Sequence, residues 1–135
     1  MPEYIDQRGR GRYPYLTGSA SWYLLTLLTE SFGVKGWLGD LVLEPKLVRE
    51  QFDGDDRAAV LTPFAGRMLH VTYHNPARLD FGQYRIAGIM VNGHAVDFAR
   101  HGNGIRLARA VVAGLTGDGP HWCDVELGAC VALSR

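Results

Sequence analysis

The chain has 135 residues, 47% of them apolar and 21% charged, with fourteen basic side chains balanced by fourteen acidic ones. That is the length of one ordinary domain, or of a small domain with an appendage, with enough apolar surface for a real core. The composition excludes a disordered polymer, and the neutral balance excludes a global field that would gather nucleic acid or an anionic membrane surface.

The first fourteen residues are polar and rich in Arg and Gly, without periodicity, and are expected to form a loop. From Gly18 to Phe32 the pattern is helical, with Thr17 as the expected N-cap and Gly33 placed as the residue that ends the helix. Ala20, Trp22, Tyr23, Leu24, Leu25, Leu27, Leu28 and Phe32 cover most of this helix's circumference, so it is expected to be buried on most sides. The apolar stretch Trp22–Leu28 is far too short to span a bilayer, and the N-terminus shows no apolar signal segment.

After Gly39 the period changes. "DLVLEPKL" suggests a short strand stopped at Pro45, followed by a charged turn region, "VREQFDGDDR". Residues 39–57 are therefore expected to act as a linker. From Ala58 onward the chain reads as β. Leu69, Val71 and Tyr73 alternate with polar neighbours, "YRIAGIMVNGHAVDF" is a hairpin turning at Asn92-Gly93, and "HWCDVELG" is a closing strand with Cys123, Val125 and Leu127 inward. "RLARAVVAGL" fits either a helix or a strand followed by a turn, and its position among strands favours the second. The expected fold is thus mainly β: one buried helix, a linker, then an antiparallel β-sandwich over 58–135.

The helix start carries the first functional hint. Its leading N–H groups lack partners, the helix dipole is positive there, Gly18 permits close approach to the backbone, and Thr17 and Ser19 add hydroxyls. Such an end can hold phosphate or a carboxylate, although Thr17 also reads simply as an N-cap.

The stretch "YPYLTGSASWYLLTLLTESFGVKGWLGDLVLEPKL" strongly resembles the end of the catalytic barrel in glycoside hydrolase family 94, the inverting glycoside phosphorylases. "RIAGIMVNG" and "HWCDVELG" resemble that family's C-terminal β-domain, so the likeness runs over essentially the whole chain. The resemblance implies an (α/α)6 barrel ending in residues 1–38 and a jelly-roll-like sandwich over 58–135. It implies that Thr17 donates a hydroxyl and Gly18 a backbone N–H to inorganic phosphate, with Ser19, Arg12 and Tyr15 near the substrate. Phosphate is then a substrate, and no cofactor or metal is implied. The implied partners are phosphate and a β-linked disaccharide, with a homodimer or the rest of the barrel completing the assembly and no role for nucleic acid or membrane.

The family's general-acid aspartate and its phosphate-binding arginine and histidine belong to barrel segments with no counterpart here, and neither Asp6 nor Asp40 matches the acid's context. The complete enzyme would be a hexosyl-transferring phosphorylase, and the chain by itself is expected to be inactive. The alternatives are a stand-alone sandwich that binds carbohydrate or a protein, or a non-functional remnant.

Other residues have plainer readings. Arg8, Arg10 and Arg12 could touch phosphate, sugar or RNA, but suit a loop contacting solvent or the barrel. His70 and His74 share a strand face without an obvious third metal ligand, and Asp40 and Glu44 suit salt bridges better than a catalytic pair. Tyr13 and Tyr15 could stack on a sugar, whereas Trp22, on the apolar helix, suits a core position. Cys123 and Cys130 lack the close pairing of a zinc or disulfide framework, so a reduced, cytoplasmic protein is expected, with Cys123 a small buried hydrophobe.

Overall fold

A computed structural model of the chain describes residues 4–5, 11–12, 18–117 and 119–130. Two short strands, β1 (Tyr4–Ile5) and β2 (Gly11–Arg12), pair antiparallel. Helix α1 (Gly18–Thr26) runs into a π-helical turn, Leu27–Ser31. Among the described residues nine strands, a 3-10 turn (Arg49–Gln51) and one short α-helix follow, from β3 (Val34–Trp37) to β11 (His121–Ala129).

They make two sheets. The first has the order β3-β4-β10-β9, with β4 Asp40–Leu43, β9 Ala99–His101 and β10 Gly104–Leu107. The second has the order β5-β6-β11-β7-β8, with β5 Arg57–Phe64, β6 Arg67–His74, β7 Tyr84–Val91 and β8 His94–Ala95. Leu41, Leu43, Ile105 and Leu107 from the first sheet and Leu69, Val71, Ile86, Val125 and Leu127 from the second belong to one core, each 0 or 1% exposed. Burying a side chain of this size contributes about 1.5–3 kcal/mol. The coarse expectation of a mainly β domain is met, and Leu69, Val71, Tyr73, Cys123, Val125 and Leu127 all face inward as their alternation predicts.

Four expectations change. The supposed linker 39–57 contains β4, whose Leu41, Val42 and Leu43 are among the most buried residues, and β3 also precedes the boundary drawn at 58. The β3–β4 hairpin turns at Leu38-Gly39, where both residues have positive φ (50° and 91°). This is the backbone of a type I′ turn written without its usual Asn, so the composition conceals it. Second, the sheet is not wholly antiparallel, because β6 and β11 pair in parallel. Both inner faces are apolar in either orientation, and alternation does not encode strand direction. Third, "RLARAVVAGL" ends β10 and then forms a short helix, α2 (Arg109–Ala113), rather than a turn. Asp40 Oδ1 accepts the Arg109 N–H at 2.8 Å, giving that helix a cap from a distant strand. Fourth, α1 is not buried, as described below.

The Asn92-Gly93 turn is present as expected, with φ of 50° and 83°. Asn92 does more than turn the chain. Its Oδ1 accepts the Trp122 N–H at 2.9 Å, its own N–H donates to the Trp122 carbonyl at 2.7 Å, and its amide nitrogen meets His121 Nδ1 at 3.1 Å. The hairpin tip is thereby fastened to β11.

Two tyrosines reach from the second sheet to the segment that leads into and out of β3 and β4. The Tyr84 hydroxyl accepts the Leu47 N–H and donates to the Leu47 carbonyl, both at 2.8 Å. The Tyr73 hydroxyl donates to the Phe32 carbonyl. Burial pushes Tyr84 up from its ordinary 10.0 to about 12, and holds Tyr73 well above the same value.

Two outcomes follow from these contacts. Tyr84→Phe leaves both polar groups of buried Leu47 without a partner and should cost about 1–3 kcal/mol in urea unfolding. Because both folded-state values lie above the unfolded one, stability should hold below pH 10 and fall as pH rises from 10 toward about 12. Leu38→Asn, at a 91% exposed residue with φ of 50°, should instead raise stability by about 0.5–1 kcal/mol, read as a higher urea midpoint.

Candidate functional site

The helix start is where the sequence places its anion site. Helix α1 opens at Gly18, with Ser19 in its first turn, so the helix begins where the Thr-Gly-Ser run predicts. Thr17 and Tyr15 lie outside the described residues, as do Arg8, Arg10 and Tyr13. Arg12 is in β2, paired with Tyr4. The first N–H groups of any α-helix lack intrahelical partners, and the helix dipole is positive at that end.

The far end of α1 is rooted in the β domain. The π turn closes with the Phe32 N–H donating to the Leu27 carbonyl at 2.9 Å. Gly33 follows at φ +68°, and a Cβ there would sit 2.0 Å from the Glu44 carbonyl oxygen, so only glycine fits. The Ser31 carbonyl accepts the Lys46 N–H at 2.8 Å and the Gly33 carbonyl accepts the Glu44 N–H at 2.9 Å. On the surface Lys46 Nζ lies 3.0 Å from Glu30, and this hydrogen bond holds the Glu30 carboxyl below its usual range. The end of the helical segment is thus joined to the stretch that follows β4.

The body of α1 departs from expectation. Trp22, Tyr23, Leu24 and Leu25 are 69, 66, 65 and 49% exposed. Four successive residues sweep most of a helical turn, so the helix is open on nearly every side. Trp22 is consequently not a core residue within this chain. Only from Leu28 onward does the segment join the core, with Leu28 and Phe32 packed against it. The apolar circumference was legible; its covering is not supplied by the described residues.

The remaining candidates separate. Asp40 caps α2 and lies 3.5 Å from Arg106 Nε, while the Glu44 carboxylate lies beside Gly102, so they form no catalytic pair. His70 packs on the Trp122 ring at 4.3 Å between centroids, and His74 Nε2 meets Asp124 Oδ1 at 2.9 Å. The two histidines therefore serve different partners. Cys123 is buried and its thiol is pushed up to about 11 by desolvation, so it behaves as a hydrophobe, and Cys130 is exposed.

Sequence reasoning missed a groove of about 550 Å³ on the second sheet, walled by His74, Met90, Val96, Phe98, Asp124 and Glu126. Its carboxylates come from the outward positions of β11, which the inward alternation of Cys123, Val125 and Leu127 already implied. The signal that was not available is the bulge opposite Glu126 and Leu127, where β7 skips a pairing and turns Met90 outward while Ile86 and Ile89 both face in.

No protein-family model matches the chain, and no curated protein is significantly similar to it. No helix among the described residues is long and apolar enough to cross a membrane.

The open helix predicts self-association, because a contiguous apolar patch of this kind seeks a partner. Light scattering should show mass rising with concentration for the native chain. The triple variant Trp22→Ser, Leu24→Ser, Leu25→Ser should stay monomeric with an unchanged near-UV spectrum from the sheets.

Proposed function

We propose that the chain is the C-terminal portion of an inverting glycoside phosphorylase of the family 94 type, supplying part of the phosphate site and a jelly-roll-like β domain. The observation that carries this reading is a helix that opens at the Gly-Ser of the Thr-Gly-Ser run and whose apolar Trp22–Leu25 stand exposed among the described residues. A solitary helix of that composition is unstable in water, and it is rational as one member of a ring of helices. In this reading the ring is the (α/α)6 barrel, contributed by polypeptide other than these residues.

The chemistry explains why phosphate needs such a cradle. An inverting glycosidase uses one carboxylic acid to protonate the leaving oxygen and a second carboxylate to activate water. A phosphorylase needs only the first. Phosphate is already anionic and nucleophilic, and a second carboxylate would repel it. One phosphate oxygen attacks the anomeric carbon as the bond to the glycosidic oxygen breaks, and the general acid delivers its proton to that departing oxygen. The products are a sugar 1-phosphate and the shorter sugar. Thr17 and Gly18 take the donor role, Thr17 through its hydroxyl and Gly18 through its backbone N–H, and fix phosphate in line for attack. Ser19, Arg12 and Tyr15 stand near the substrates. The general acid comes from the barrel, so these residues bind and orient, and a reduced, cytoplasmic setting suits a reaction that draws on intracellular phosphate.

The test is steady-state phosphorolysis of cellobiose and N,N′-diacetylchitobiose by the protein encoded by the complete reading frame. Thr17→Ala should raise the KM for phosphate at least about tenfold, the loss of one charge-assisted hydrogen bond, and leave the disaccharide KM nearly unchanged. Phosphate-independent hydrolysis, or an unchanged KM for phosphate, would overturn the reading.

A further inference from the structure

The outward face of the five-stranded sheet is built unlike an ordinary solvated face. Leu61, Met68, Met90 and Trp122 are all 40–56% exposed. The register places Leu61, His70 and Trp122 side by side on β5, β6 and β11. The Trp122 ring is held against His70 at a 42° tilt, and His70 Nδ1 lies 3.2 Å from the Thr72 hydroxyl, so the indole is a fixed platform with open area.

Along β11 the next outward residues are Asp124 and Glu126, placing an acceptor about 7 Å and another about 14 Å from the Trp122 position at strand rise. His74 engages Asp124 Oδ1 at 2.9 Å, which orients that carboxylate and leaves its second oxygen for a ligand. Both carboxylates border the groove of about 550 Å³ whose opposite wall is Met90, Val96 and Phe98.

The walls dictate the ligand. Two carboxylates repel an anion, including a nucleic-acid backbone, and a purely apolar ligand would strip them of water with no return. A small cation would be drawn to the carboxylates but would gain little from the apolar wall of Met90 and Val96. What fits is a neutral molecule with apolar C–H faces and many hydroxyl donors. The acceptors and the indole follow one straight strand, which matches an extended ribbon rather than a coil.

We propose that this sheet face binds a neutral β-linked oligosaccharide, with a sugar ring stacked on Trp122 and hydroxyls donating to Asp124 and Glu126. The site lies on the opposite side of the second sheet from the core, and it stands without the phosphate reading.

The experiment is a titration of the isotope-labelled 135-residue chain with cellotetraose and with chitotetraose, followed by amide NMR shifts, with maltotetraose as an α-linked control. Saturable shifts confined to β6, β7 and β11 are expected for a β-linked probe, with a Kd on the order of 1 mM. Trp122→Ala and the isosteric Glu126→Gln should each weaken binding at least about tenfold, equivalent to 1.4 kcal/mol. Trp37→Ala on the other sheet should not, and unperturbed distant amides establish that each variant is folded. Added inorganic phosphate and Thr17→Ala should leave the titration unchanged, so failure here and failure of the phosphate site are separate results. Absence of saturable shifts with either β-linked probe, shifts centred elsewhere, equal response to maltotetraose, or full binding by both variants would each overturn the proposal.

Discussion

Two buried tyrosine hydroxyls tie the segments that flank the β3–β4 hairpin to the second sheet. Residues 44–47 leave β4 and cross the core edge, and Leu47 is completely buried there. A buried peptide group with neither water nor a ladder partner is costly, and Tyr84 satisfies both polar atoms of Leu47 with one hydroxyl. Tyr73 does the same for the Phe32 carbonyl at the end of the helical segment. The strap in turn receives Ser31 and Gly33 through backbone hydrogen bonds. The end of the helical segment is therefore tied to the β domain by polar contacts, with Leu28 and Phe32 packed against the core.

This arrangement separates two jobs. The inner faces of both sheets are committed to one core and have no capacity for ligands. Chemistry is left to the ends and outer faces: the start of α1, and the outward row along β11. In the readings proposed above, the first would offer backbone donors to an anion, and the second carboxylates beside apolar side chains to a neutral donor. The opposed polarity of the two surfaces follows from which backbone or side-chain groups the fold leaves unsatisfied.

The outer face of the first sheet shows how such surfaces are otherwise closed. Trp37 and His101 come from its two edge strands, yet their rings approach to 5.3 Å, and Val42 on an intervening strand is 1% exposed. There two aromatic rings from opposite edges meet, and the outward apolar Val42 is buried. On the second sheet Trp122 lies over His70 and leaves Leu61 and Met90 in the open.

Local pattern was enough for the alternating strands β6 and β11, the Asn-Gly hairpin, the onset of α1 at Gly18 and the stop of the helical segment before Gly33. Each rests on an interaction between residues a few positions apart, which a sequence displays directly. It was not enough for the Leu38-Gly39 and Ala65-Gly66 turns, where positive φ is imposed on residues that disfavour it. Nor did it reveal the bulge in β7, the parallel pairing of β6 with β11, or the joining of His74 to Asp124, fifty residues apart. The sequence by itself determined that the chain is mainly β, which faces of β6 and β11 point inward, and that an apolar helix begins at Gly18. Tertiary structure alone decided that residues 34–47 belong to the β domain, that the described residues leave α1 uncovered, and that acceptors and an indole share one outer face. Strand order and direction arise from long-range packing of apolar faces that are chemically alike, and no local pattern distinguishes among their pairings.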